Sequence, residues 1–198
     1  MKFDLPSLLL AARGTVQQPR AGARGLLNLN LPPSVAWVGL VLMAVTSAGL
    51  STLTFLLSTQ SDAVPLDPAM LELFTNPLQL AALQAGVLLV SAALIAGLGR
   101  MFGGAGRFED ALLLVVWLEF ILLLLQIVQT AVMLFSPTLA GALGLFGLVL
   151  FIWLLANFIA ELHGFASILA VGLAIIGAVF AISLAAAVLI VAFTGVGG

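Results

Sequence analysis

Glu119 is the residue whose chemistry most needs an explanation. It lies ten positions after Glu109 in an otherwise apolar run, about 15 Å further along a helix and so near mid-membrane if that run spans a bilayer. A carboxylate at that depth is unfavourable unless it is protonated, paired or hydrated. Gln126 follows seven residues later and Thr130 eleven. At roughly 100° per residue, both project within about 20° of Glu119. The three form a polar stripe expected to face inward. Candidate partners are Asn157, Gln79, Gln84, Thr46, Ser47 and Ser51, on other apolar runs. Three roles fit the stripe: a neutral carboxyl tying helices together by hydrogen bonds, a proton or cation relay, and a contact to headgroup or partner. No Lys or Arg lies within any apolar run, which favours a carboxyl that is neutral or faces water.

Other chemistry-bearing residues are sparse. Gly103-Gly104-Ala105-Gly106-Arg107 has the look of a phosphate cradle, but lacks the Lys-Ser/Thr of a P-loop and follows no strand. A turn whose Arg107, with Arg100, touches lipid headgroups is the expected reading. His163 is the single histidine, and Glu161 two residues before it does not make an H-E-x-x-H pair. An interfacial polar residue is expected there. Neither G-x-S-x-G nor a pair of intramembrane aspartates is present, so an intramembrane hydrolase would lack nucleophile and base. Trp37, Trp117 and Trp153 read as packing or interface anchors. No cofactor or metal is expected, and the absence of cysteine removes thiolate sites and disulfides.

The elements that must position these groups follow from composition. Of 198 residues, 63% are hydrophobic and 7% charged, with a mean hydropathy of +1.31. Soluble domains carry roughly 25% charged residues, so the natural solvent of this chain is a bilayer. A net charge of -2 gives no reason to expect nucleic acid. The fold class is all-α, a polytopic transmembrane bundle of about five spanning helices. Residues 34–57, 76–98, 110–135, 138–160 and 165–193 are each long enough to cross about 30 Å of hydrocarbon. Together they make a membrane domain over residues 34–195. Pro32-Pro33, the stretch from Ser61-Asp62 through Pro65 to Pro68, Gly99 to Glu109, Ser136-Pro137 and Glu161 to Gly164 punctuate it. Pro137 splits a run too long for one span into a tight hairpin. The fifth span is long enough to tilt, or to bend near Gly172 and Gly177.

Residues 1–33 form an N-terminal segment. Its apolar stretch is short and carries Pro6, unlike a secretory signal. Phe3, Leu5, Leu8, Leu9 and Ala12 share a helical face, which suits a short interfacial helix; a mobile tail is the alternative. All six basic residues, Lys2, Arg13, Arg20, Arg24, Arg100 and Arg107, precede the first span or lie between the second and third. Five crossings put them on one side. The positive-inside rule then places the N-terminus in the cytoplasm and the C-terminus in the periplasm, if this is the inner membrane of a bacterium, as the Ala-, Leu-, Gly- and Val-rich composition suggests. Gly141, Gly144 and Gly147 on the fourth span and Ala174, Ala178, Ala181 and Ala185 on the fifth are stripes where helices can approach closely.

Three fragments share an order with a known family. Pro19-Arg20-Ala21 with Arg24, then Gly103-Gly104-x-Gly106-x-Phe108-x-x-Ala111 with Trp117, then Trp153 with His163-Gly164-Phe165-Ala166-Ser167 and Ala170 resemble the Yip family of Rab-interacting membrane proteins. The resemblance runs from about Gln18 to the end and implies five membrane helices with a cytoplasmic N-terminus. It does not carry Rab-type GTPase binding: the chain has no tyrosine for an Asp-Leu-Tyr-Gly-Pro motif and no extended N-terminal domain. Many relatives have a proline within the third helix, where this chain has Glu119-Phe120. The expected function is non-enzymatic, by lateral association with lipids, other membrane proteins or a second copy, as in an accessory subunit of a larger assembly. The alternative is a small transporter or lipid scramblase using the Glu119 stripe.

Overall fold

The structure is a computed structural model that describes residues 4–58 and 67–194. The expected loop signals Ser61, Asp62 and Pro65, and the start of the chain through Phe3, lie outside the described residues. Among those described, the elements are all helices: α1 Leu5–Gln17, α2 Pro19–Leu27, α3 Pro33–Ser58, α4 Pro68–Thr75, α5 Pro77–Met101, α6 Phe108–Met133, α7 Pro137–His163 and α8 Ile168–Thr194. Five of them, α3, α5, α6, α7 and α8, are long and apolar enough to cross a membrane. The chain is a helical membrane bundle.

Local sequence explains where the helices start. Proline occupies the first turn of α1, α2, α4, α5 and α7, where its missing N–H leaves no intrahelical bond unmade. Asp4, Asp67, Asn76 and Ser136 cap the free amides just ahead of α1, α4, α5 and α7. Ser136 accepts from the Leu139 amide at 3.3 Å, so α6 and α7 are joined by a tight turn and pack side by side. Phe165 is spent on the end of α7, its N–H bonding the Ala160 carbonyl at 2.8 Å. Ser167 then caps Ala170, and α8 begins at Ile168 rather than at residue 165.

The central helix is α6. One face packs with α3 and α5 through Leu40, Met43, Leu88, Ala92, Ala111, Leu112 and Val115. The other meets α7 through Leu114, Leu118, Ile121, Leu150, Leu154 and Phe158. Ala and Gly recur at these contacts, as expected where van der Waals fit rather than hydrophobic expulsion drives association. α8 leans on α7, with Val171 against Ala156 and Ala160.

The N-terminal segment is a helical hairpin, bent where Gln18 leads into Pro19 and laid against α6 and α7. Its inward face is Ala12, Thr15 and Ala23, while Leu5, Leu9 and Leu10 point outward. Of the face expected to lie on the membrane surface, Ala12 packs inward, while Leu5 and Leu9 stay exposed. The physical reason is proximity: a Cβ on Gly22 would sit 2.8 Å from the Thr15 Cα, so only small side chains fit between α1 and α2.

Candidate functional site

Between α3 and α6 runs a polar seam. The Ser47 hydroxyl on α3 donates to Glu119 Oε1 at 2.7 Å, and Gln84 Nε2 on α5 donates to the same oxygen at 2.9 Å. Deeper along the pair, Gln126 Nε2 donates to Ser51 Oγ at 3.0 Å, and the Thr54 and Thr130 hydroxyls lie 2.7 Å apart. Ser47, Ser51 and Thr54 share a face of α3 because they are spaced four and three residues apart. They stand opposite Glu119, Gln126 and Thr130 in the same order because the two helices run in the same direction. Glu119 therefore joins three helices through one oxygen. No cation pairs with it among the described residues. Hydrogen bonds between membrane helices are worth about 0.6 kcal/mol on average, so the seam contributes about 2–3 kcal/mol.

The structure brings Glu119, Gln126 and Thr130 onto this one seam. Asn157 stands apart: its amide donates to the Trp153 carbonyl of its own helix at 2.7 Å. Gln79 and Thr46 are also elsewhere, Thr46 bonding the Leu42 carbonyl. Arg100 and Arg107 lie exposed at the same end of the bundle. Arg100 Nε bonds the Ala96 carbonyl, and Arg107 sits 3.6 Å from Glu109. Among the described residues no three His, Asp or Glu side chains gather as a metal site would need.

A second site lies at that arginine-bearing end. His163 is buried, with 6% of its surface exposed. Its Nδ1 accepts from the Gly106 amide at 3.1 Å, and its Nε2, which then holds the proton, donates to the Ile95 carbonyl at 3.1 Å. Glycine is required around the ring: a Cβ at Gly99 or Gly104 would overlap the imidazole, and one at Gly106 would come within 2.6 Å of it. Gly103, at φ +85, ends α5 in the left-handed conformation, with the Gly104 amide bonding the Gly99 carbonyl. The glycine run is thus a helix cap followed by a cradle for an imidazole, and its Gly106 N–H is already engaged by His163.

Two residues back on α7, Glu161 receives the N-terminal hairpin. Arg24 donates to both its carboxylate oxygens, at 2.7 and 3.1 Å. Arg20 Nε is 3.6 Å from Glu161, and its guanidinium also bonds the Phe165 carbonyl. Arg20 and Arg24 share a face of α2 because they are four residues apart. The three fragments of sequence, Pro19 to Arg24, Gly99 to Phe108 and Glu161 to Phe165, therefore meet in one clamp. The individual residues gave no sign of this contact, since they are far apart in the chain and of ordinary types. The signal lay in the shared order of fragments.

A family model described as Yip1 domain matches residues 13–192. No curated protein and no solved structure matches the chain.

Proposed function

The chain belongs to the Yip1 domain family, and on that premise we propose that it is a non-enzymatic integral membrane protein acting by lateral association with lipids and other membrane proteins. The observation that carries the reading is α8. This helix packs along α7, yet Ala174, Ala181 and Ala185 of its small-residue stripe remain exposed. Small side chains let a second helix approach closely in lipid, where close fit is what holds helices together. A partner helix, from another membrane protein or a second copy, suits this face. The positive-inside rule supports an arginine-bearing end in the cytoplasm and a C-terminus on the far side, in a bacterial inner membrane as composition suggests. Rab-type GTPase binding is not part of the reading.

Photo-crosslinking residues placed at Ala174, Ala181 and Ala185 test it in native membranes. Adducts at these positions with a second copy or a discrete partner are expected, and none at buried Ala92. A strict monomer with no adduct overturns the proposal.

The Glu119 seam favours a second reading, a small transporter or scramblase. Glu119→Gln separates the two. A relay loses proton-linked flux in reconstituted vesicles, whereas a structural carboxyl leaves both flux and stability nearly unchanged.

A further inference from the structure

Beneath the α1–α2 hairpin is a cavity of about 740 Å³, walled by α1 and α2 on one side and by α3 and α6 on the other. We propose that it holds an acyl chain of an anionic phospholipid from the leaflet at the arginine-bearing end. The inference deepens the lipid half of the function proposed above and rests on it.

Three observations point to this occupant. The first is reach. The cavity touches Val35 near the start of α3 and extends to Met43 on α3 and Phe120 on α6, ten residues from the start of α3 and twelve from the start of α6. At 1.5 Å per residue that is about 15–18 Å, close to half of a hydrocarbon core of about 30 Å. The cavity is one leaflet deep. The second is lining: Leu8, Leu26, Leu42, Met43 and Phe120 make it apolar along its length, and its volume is that of a site for a small ligand, which is roughly 300–1,000 Å³. A void of this size bordering lipid fills with the solvent at hand, a hydrocarbon chain. The third is charge. Gln17 and Gln18 line the cavity at the hairpin bend, and their side-chain amides have no partner among the described residues. Arg13 stands one turn before Gln17 on the same helix edge, outside the cavity lining. It is exposed, with no acceptor among the described residues, while Arg20 and Arg24 are engaged by Glu161. No acidic residue occurs from Leu5 to Leu57. A lipid phosphate beside the hairpin would give Arg13 an acceptor.

Trp117 borders the cavity and supplies the probe, its indole Nε1 donating to Thr15 Oγ1 at 3.2 Å. Trp37 and Trp153 are exposed, so both are replaced by Phe to leave Trp117 alone. The full chain is reconstituted in phosphatidylcholine vesicles containing phosphatidylglycerol brominated in its acyl chains. Quenching of Trp117 is expected. Gly14 and Gly25 line the cavity, with no atom within 4 Å of an added Cβ. Gly14→Phe with Gly25→Phe therefore fills the space and lowers quenching by about twofold or more, since a packed interior leaves no room for a chain. Gly14→Ala, which fills little, retains quenching and shows that the fold is intact. Brominated phosphatidylglycerol quenches more than brominated phosphatidylcholine at equal content, and Arg13→Ala equalises the two. Quenching unchanged by filling overturns the site, and equal quenching by the two lipids before Arg13 is changed overturns the headgroup assignment. The proposed function fails separately, through absence of adducts at α8.

Discussion

The Gly106 amide donates to His163 Nδ1 at 3.1 Å, across 57 residues of sequence. This bond fixes the imidazole as a neutral ring with its proton on Nε2, and it ties the loop after α5 to the last turn of α7. Arg24 and Glu161 add the N-terminal hairpin to the same point. The clamp gives a physical content to the family's fragments: each is what another needs in order to pack.

Gly104→Val is expected to destabilise the protein by about 1–3 kcal/mol, the usual range for overpacking. Thermal unfolding in detergent measures it. His163→Ala removes the ring that the new side chain meets, so the double variant should lose less than the sum of the two single losses. Strict additivity would place the effect outside the cradle.

Acid should loosen the clamp. Protonating Nδ1 turns an acceptor into a donor facing the Gly106 N–H donor, and leaves that amide unsatisfied. The stabilisation from this contact is present while the ring is neutral, and is lost as acid protonates it. The thermal midpoint of the wild type should fall between neutral pH and pH of about 5, and His163→Asn should flatten that dependence. An equal slope in both proteins would assign the effect to other groups.

Glu119→Leu removes the acceptor of both Ser47 and Gln84. A loss of about 1–3 kcal/mol is expected, from two membrane hydrogen bonds that reach about 1.7 kcal/mol each at most. Glu119→Gln keeps a carbonyl acceptor and should cost less. Steric-trap or urea unfolding in bicelles distinguishes the two, and equal losses would contradict the hydrogen-bond account.

Arg24→Ala alone should reduce stability only slightly, because Arg24 is largely exposed and such pairs are weak. Glu161→Ala should cost more, since Arg20 and Arg24 both lose their carboxylate. A double-mutant cycle read by thermal unfolding should give a coupling energy of the size of a surface pair, and zero coupling would remove the latch from the account.

Much of the architecture was legible in residue order. Hydropathy and Pro137 showed five spans, and the seven- and eleven-residue spacing put Gln126 and Thr130 on the Glu119 face. Ser47, Ser51 and Gln84 were among the residues that could meet that face, but choosing between them and Asn157 needs the relative rotation of helices, which spacing within one helix does not supply. The hairpin was harder. A short leucine face suggests docking to an interface, whereas packing between α1, α2 and α6 is set by how close the backbones can come, and that selects Ala12, Thr15 and Gly22. His163 reads as interfacial from its place at a helix end. Its burial follows from the absence of side chains at Gly99, Gly104 and Gly106, a complementarity visible only once the loop is folded.

The chain has no cysteine, so a pair can be introduced cleanly. Arg24→Cys with Glu161→Cys, treated in native membranes with a short bis-maleimide, asks directly whether the hairpin closes on α7; Arg20 still donates to the Phe165 carbonyl and holds it there. The account predicts a fast-migrating monomer, crosslinked within one chain, that neither single variant forms. Links only between chains, or none, would contradict it.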